Sequence, residues 1–511
     1  MADFSQYEKD ESGYRGKCTQ VFHAQESGDI EKALRSDTRF VAQGGCTGIA
    51  GACVPDDCAV LDMSMLKGCT GFTKEKDGYT IELLAGTTLE EFRTMLRLKR
   101  IDFTNSSDIR PESKEAIEIF KQDKAFVFAP DPTEETATIG GLFSTNACGP
   151  STMLFGSFSS HVLESELMLA SGSAIRIKRG DNVFDSDGCC IVPDGGIIKT
   201  APGYDARDAE LPLLPAPGKD LLDLFTGSEG MLGVVHKLRL KLTEAPKEDW
   251  RVLLFHRDEE AASVFADDIY LKSQNWDACR LSILEYMDKM SIKLIGEMRG
   301  DMSSLNALPE LPQDTCCIMV GIRSQSGEGI DDALDDVLEL SEAAGFSDED
   351  IWAAETWENA EMFRLLRHGI PEAANSRMNM NKIFFPQAVK IAADVRFGGD
   401  DGIANAIENV QYLINNERVP AVVFAHLGRL HFHINFLPES KEEMERCLLV
   451  HDELNIMAKG SGGSGFAENG IGKIKKNIAK TLLPSGSLGQ MRAVKEFFDP
   501  KNKLNPGNML L

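Results

Sequence analysis

Val41–Asp62 reads VAQGGCTGIAGACVPDDCAVLD. Gly44, Gly45, Gly48 and Gly51 fall within eight residues, after Phe40-Val41 and before Ala59-Val60-Leu61. An apolar run, a glycine-rich loop and a second apolar run read as strand, loop, strand. Glycine admits positive φ and has no Cβ, so successive N–H groups can turn toward one anion. The spacing is neither a helix-opening G-x-G-x-x-G nor a G-x-x-x-x-G-K-[ST] loop. Taken alone, the stretch leaves two readings: an anion cradle and an ordinary glycine-rich turn.

Two further stretches narrow the choice. Ala129–Pro150 reads APDPTEETATIGGLFSTNACGP, and Leu224–Leu240 reads LFTGSEGMLGVVHKLRL. In this order the three resemble the flavin domain of the FAD-linked oxidase family, which includes vanillyl-alcohol oxidase and the D-2-hydroxyacid dehydrogenases. The resemblance continues to MRAVKEFFDPKNKLNPGNML near the C-terminus and so covers most of the chain. It implies an α+β flavoprotein with a vanillyl-alcohol-oxidase-type FAD domain, an α/β cap domain and a tail that returns to the FAD domain.

The domain borders follow from texture. Thr243–Asp249 (TEAPKED) is polar and contains proline, which marks the end of a first domain over 1–245. Beyond it, apolar runs at Val252–Phe255, Ala278–Leu284 and Cys316–Val320 alternate with helical stretches such as Asp331–Ala344, giving a cap over 246–453. Val422–Leu437 reads as a further strand pair, and 454–511 as the helical, glycine-rich return segment. Within the first domain, Asp29–Arg35 reads as a short helix on an edge that is trimmed relative to the family. Thr87–Arg97 reads as a helix capped by Thr88, 121–128 as a strand, and His161–Ile177 as a hairpin turning at Ser171-Gly172. Cys189–Gly218 reads as loop and Gly227–Leu240 as helix then strand. Gly460–Gly465 fits G-x-G-x-x-G by count, but it follows a helical pattern rather than a strand and reads as a flexible loop.

Composition limits the function classes. The 511 residues carry 54 Lys+Arg and 80 Asp+Glu, a formal charge of −26, which repels phosphate backbones and argues against nucleic acid as a partner. No apolar run reaches the ~20 residues of a membrane span, and the N-terminal MADFSQYEKDESGYRGK lacks the apolar centre of a signal peptide. A soluble cytoplasmic protein is expected, with its twelve cysteines reduced. No C-x-x-C grouping for an iron–sulfur cluster occurs, and no such segment is expected after Leu511, so electrons are expected to leave for oxygen, a quinone or an electron-transfer flavoprotein. A homodimer is left open.

FAD offers a pyrophosphate, which needs N–H donors, and a flat ring, which needs close backbone approach. By the resemblance, Gly44, Gly45, Cys46, Thr47 and Gly48 take the pyrophosphate. Thr138, Gly141, Thr145 and Asn146 line the flavin, Pro130 and Ser144 are further cofactor-binding candidates, Glu229 and Val234 match positions near the adenosine and the ring, and Asn505 matches the tail residue that reaches the cofactor. Cys46 and Cys148 replace usual glycines. Cys46 reads either as a small soft filler or as a thiol bonded covalently to the flavin.

Ala425–Phe436 reads AHLGRLHFHINF against a family His-x-Gly-Asp-Gly-Asn-x-His-x-Asn, and Gly465–Gly472 reads GFAENGIG against Gly-Glu-His-Gly-Ile-Gly. His426, Gly428, His433, Asn435 and Glu468 match; Arg429, Leu430, His431 and Asn469 depart. The resemblance makes His426, His433 and Glu468 ligands of a divalent metal. Two imidazoles and a carboxylate suit zinc first, with manganese or iron also fitting. Arg367 in RLLRHGIPEAA, Lys382 in NKIFFP and Asn435 match positions that hold the substrate.

The implied reaction oxidises a D-2-hydroxy acid, D-lactate- or D-2-hydroxyglutarate-like, to the 2-oxo acid. The family base falls at Asn469, and an amide does not titrate. His431, two residues from His433 on the same strand face, is the favoured substitute. Water as proton acceptor, or loss of the oxidation, are the other readings. The rivals are a non-redox flavin-dependent transferase and an inactive flavoprotein subunit of a larger complex.

Overall fold

A computed structural model of the chain describes residues 3–104, 109–200, 211–300, 305–306, 308–354, 357–399 and 402–509. Chain contacts divide it into two units: Met1–Gly149, Phe155–Ala245 and Glu468–Leu511 form the first, and Pro150–Leu154 with Pro246–Ala467 the second.

The first unit begins with strands β1 (Lys17–His23), β2 (Phe40–Gln43) and β3 (Asp56–Asp62), paired in parallel in the order β1-β3-β2. Helix α1 (Ser27–Leu34) supplies the crossover and buries Ile30, Ala33 and Leu34. The β2–β3 connection is the glycine-rich loop. A second, antiparallel sheet follows, made of β4 (Cys69–Glu75), β5 (Gly78–Leu84), β6 (Val162–Met168), β7 (Ala174–Lys178) and β8 (Val234–Lys241) in the order β4-β5-β8-β6-β7. Helix α2 (Leu89–Arg97) starts at Thr88. The Thr88 hydroxyl accepts the Glu91 N–H and the Glu91 carboxylate accepts the Thr88 N–H, a reciprocal cap. Helix α3 (Ile139–Thr145) starts at Thr138, whose Oγ1 accepts from Gly141 N at 3.2 Å.

Three local expectations change. Of 121–128 only Phe126–Val127 is strand, because the helix Pro111–Gln122 takes up the beginning. The stretch from Gly227 to Gly233 is loop rather than helix: Gly227, Glu229 and Gly230 have φ of 79°, 51° and 72°, outside the right-handed helical region. Within Cys189–Gly218, Cys189–Ile191 pairs with Ile197–Lys199, while 201–210 lie outside the described residues. The C-terminal segment returns as an added edge on β2: Phe40 N donates to Lys503 O at 2.7 Å and Asn505 N to Phe40 O at 2.6 Å.

The second unit is built on seven strands: β9 (Glu248–His256), β10 (Arg280–Met287), β11 (Cys316–Ser324), β12 (Ile351–Ala354), β13 (Ile391–Arg396), β14 (Ala421–His426) and β15 (His431–Phe436). Their order is β12-β9-β11-β10-β14-β15-β13, antiparallel at every pairing. Side chains alternate between faces with period two. One face presents Leu284, Tyr286, Val423, Ala425, Phe432, Ile434 and Phe436 to a core shared with helices α4 (Glu259–Ser273), α7 (Ile403–Glu417) and α8 (Lys441–Gly460). The opposite face presents Ile283, Met287, Val422 and Phe424 to α5 (Lys289–Met298) and α6 (Trp357–Phe384). Helix α8 buries Cys447, Val450, Leu454 and Ala458 in this unit, which therefore extends past 453 to Ala467. After α8, Ser464 exchanges two backbone hydrogen bonds with Arg396, at 2.7 and 2.8 Å, so the glycine-rich count there is a helix exit and not a dinucleotide loop.

Candidate functional site

In the first unit the three quoted stretches converge. A Cβ on Gly44 would stand 2.1 Å from Thr138 Oγ1, and one on Gly45 would stand 2.5 Å from Thr136 O, so only glycine lets the loop lie against the start of α3. A Cβ on Gly48 would meet nothing within 4 Å, so the loop opens there. Among the described residues, the N–H groups of Gly45, Cys46, Thr47, Gly48, Ile49 and Ala50 donate to no protein acceptor. A run of free amides with open space beside it fits a pyrophosphate. The third stretch closes α3 from its other end: Gly227 N donates to Phe143 O at 2.9 Å and Glu229 N to Ser144 O at 2.8 Å.

The other residues matched to cofactor positions lie around this frame. The Ser144 and Thr145 hydroxyls bond the carbonyls of Gly140 and Gly141. Asn146, at φ 51°, accepts the Ser159 N–H at 3.0 Å. The Pro130 carbonyl accepts from Arg93 at 3.4 Å, and Val234 is buried among Met168, Ala170 and Leu504. Cys46 has φ 54°, and its sulfur accepts a hydrogen bond from the free Cys53 thiol, which holds it below the ordinary thiol range against the opposing effect of burial.

Glu229 is the hub of the unit. Its buried carboxylate accepts the N–H groups of Ile471 and Gly472 and the amide of Asn508, at 2.8, 3.0 and 2.6 Å. Burial raises its pKa, and these donors act the other way. Asn505 donates to Ala52 O and Glu229 O at 2.9 and 2.8 Å and accepts from Lys473 at 2.8 Å. In Gly465–Gly472 the sequence draws attention to Glu468 and Asn469. The structure adds that Gly470-Ile471-Gly472 cradles Glu229, since a Cβ on Gly470 would meet Glu229 Oε1 at 2.1 Å.

In the second unit, strand register builds a polar array on the α5/α6 face. Glu285 of β10 pairs with His426 of β14, which pairs with His431 of β15. One step along, Phe424 pairs with His433, which pairs with Asp394 of β13. His431, His433 and Asn435 share this face because Phe432, Ile434 and Phe436 fill the other core. One ligand atom from each of the three imidazoles lies within 4.8 Å of the others.

Carboxylates back two of these rings. Glu285, 0% exposed, meets His426 Nδ1 at 2.6 Å, and Asp394 meets His431 Nε2 at 2.6 Å. Burial works against the Glu285 charge, but His426 and Arg367 beside it hold the carboxyl below its ordinary range. With Glu285 ionised, a neutral His426 donates from Nδ1 and keeps its lone pair on Nε2. That atom lies 3.3 Å from His433 Nε2. Two nitrogens bound at ~2.0–2.1 Å to one tetrahedral ion stand about 3.3–3.4 Å apart, so the donors and their spacing fit zinc.

Arg367 of α6 is 3% exposed, and its Nε donates to Glu285 Oε2 at 2.7 Å. Its guanidinium carbon lies 4.2 Å from the Phe424 ring centre. Lys382 is not brought to this array: it is exposed in the last turn of α6, roughly 22 Å along the axis from Arg367 at 1.5 Å per residue. Glu468 and Asn469 follow directly on Ala467, the last residue of this unit, whose N–H reaches Asp394 O at 3.4 Å. Glu285 and Asp394 escaped sequence reasoning. The available signal was a single carboxylate inside an otherwise apolar strand, in SILEYM and in AADV, which is a charge that must find a buried partner.

Residues 271–509 match the family described as FAD linked oxidases, C-terminal domain. The glycolate oxidase subunit GlcD of Escherichia coli (strain K12) is 28% identical over 382 residues, 74% of this chain and 65% of that protein. A D-lactate dehydrogenase of Archaeoglobus fulgidus is 25% identical over 390 residues, 75% of this chain and 72% of its own length. Among solved structures, an alkyldihydroxyacetonephosphate synthase superposes with a TM-score of 0.60 at 13% identity, covering 95% of this chain and 75% of that one, a likeness of fold.

Proposed function

We propose that this chain, which belongs with the FAD-linked oxidases in their D-2-hydroxyacid branch, oxidises a D-2-hydroxy acid such as D-lactate or D-2-hydroxyglutarate to the 2-oxo acid. The observation that carries the reading is the array on one sheet face: two imidazole nitrogens 3.3 Å apart, a third imidazole paired with a buried carboxylate, and a buried guanidinium.

His426 and His433, with Glu468 as the carboxylate that the resemblance adds, would hold a divalent metal, zinc first. Such an ion supplies Lewis acidity that lowers the pKa of a hydroxyl beside it. Arg367 takes the substrate carboxylate, and Asn435 adds a polar contact from the same strand face. His431 takes the hydroxyl proton, with Asp394 fixing its Nε2 side so that Nδ1 carries the lone pair. Asn469 has no part in proton transfer. FAD, for which the Gly44–Gly51 loop of the first unit offers the pyrophosphate donors, would supply a hydride acceptor when bound. A quinone, oxygen or an electron-transfer flavoprotein would take the two electrons.

Anaerobic mixing with D-lactate, D-2-hydroxyglutarate and glycolate tests the reading. Loss of the flavin's visible band with one of them is the expected result. A silent spectrum across the panel would transfer support to a non-redox transferase or an inactive subunit.

A further inference from the structure

In the second unit, Glu285 and Phe424, to which the function above gives no role, close a circuit through His426, His433 and Arg367. Glu285 uses both carboxylate oxygens. Oε1 meets His426 Nδ1 at 2.6 Å and Oε2 meets Arg367 Nε at 2.7 Å. On the other side, the Arg367 guanidinium lies 4.2 Å from the centre of the Phe424 ring, which stacks on His433 with centroids 4.9 Å apart and planes at 28°. The circuit closes where His433 Nε2 meets His426 Nε2 at 3.3 Å. The group suited to an anion and the two groups suited to a metal are thus held by the same two side chains, one carboxylate and one ring.

We propose that Glu285 is a positioning residue that sets the metal-facing tautomer of His426 and the seat of Arg367 together, so that the metal and anion subsites are assembled as one piece. The proposal rests on the metal and anion roles given above for His426, His433 and Arg367. Its physical basis is the count of acceptors. A carboxylate accepts from both neighbours at once, leaving the His426 lone pair on Nε2. An amide of the same shape has one accepting and one donating end. If its oxygen serves Arg367, its NH2 faces His426 Nδ1, which must then accept, and the proton moves to Nε2, where it blocks a metal. If its oxygen serves His426, its NH2 opposes the Arg367 Nε–H and the guanidinium loses its seat. Either arrangement breaks one subsite.

The test compares the full-length protein with Glu285→Gln and Glu285→Asp, the latter having a carboxylate too short to span both partners. Zinc affinity is measured by competition with a chromophoric chelator. The His426 tautomer is read in metal-free protein from imidazole ¹⁵N shifts, assigned with His426→Ala. The expected result is a 10–100-fold loss of zinc affinity in both variants, the size of effect that outer partners of metal ligands have elsewhere. Loss of the pure Nδ1–H signature is expected in Glu285→Gln, with a cooperative unfolding transition retained. Zinc affinity within twofold of wild type, or an unchanged tautomer in the glutamine variant, would overturn the proposal. If Glu285→Gln does not fold, Glu285→Asp decides by zinc affinity alone. If the wild type binds no zinc, the metal reading of the cluster falls, and the tautomer comparison still decides the part played by Glu285.

Discussion

In the first unit, what is open to a ligand is main chain: the N–H groups of Gly45–Ala50, on a loop that lies close to α3 because Gly44 and Gly45 carry no Cβ. The polar side chains around it are largely engaged elsewhere, Glu229 with Ile471, Gly472 and Asn508, and Asn505 with Lys473 and Ala52. In the second unit the relation is reversed. The main chain is consumed by an antiparallel ladder, and the chemistry sits on ring nitrogens and a guanidinium held by buried carboxylates. A cradle of amides depends on where a Cβ is missing. A cradle of imidazoles depends on which atom faces which.

The contrast breaks most visibly at Gly472. Its φ is 58° and an added Cβ would stand 1.9 Å from Ala50 O. Gly472→Ala should destabilise the first unit by on the order of 4 kcal/mol or more, seen as loss of soluble protein or of bound flavin colour. A wild-type urea transition would show that the loop frame tolerates a side chain.

Next comes Arg367→Met, which leaves Glu285 buried without its cation and should cost about 3–5 kcal/mol in chemical denaturation. Little change would mean that this site, too, is not governed by its charges.

His431→Ala should lower turnover with the reacting 2-hydroxy acid by roughly 10²–10³-fold while flavin content stays unchanged. Unchanged turnover would remove His431 from proton transfer.

Asp288 sharpens the comparison through pH. It caps α5 by accepting from Ser291 N at 2.7 Å, and burial, helped by the nearby Glu259 charge, raises its carboxyl to about 7. The folded value lies above the unfolded ~3.9, so the folded state holds the extra proton between the two. Stability present at acid pH should therefore fall as pH rises from ~4 to ~7, by at most about 1.4 kcal/mol per pH unit, and Asp288→Asn should flatten that slope. An equal slope in the variant would assign it to other groups.

Gly48→Ala is the smallest change. Its Cβ would meet nothing within 4 Å, so unfolding should shift by less than about 1 kcal/mol, with any loss confined to flavin affinity.

The sequence by itself determined what is local. Glycine spacing marked a loop between two strands. Thr88, just before a helix, marked a cap that the structure contains. The alternation in His431–Phe436 put three polar side chains on one face of a strand. Tertiary structure alone decided the partners. Glu285 meets His426 across 141 residues of chain, and Asp394 meets His431 across 37, through strand register that no neighbouring residue announces. The Gly227–Gly233 stretch shows the same limit in reverse. The sequence reading made it helix, but left-handed backbone at Gly227, Glu229 and Gly230 is imposed by hydrogen bonds to the end of α3 and to the C-terminal segment. Periodicity and capping depend on residues within a turn or two of one another. The choice of which nitrogen faces a ligand depends on charges delivered from distant strands, and only the folded chain brings those together.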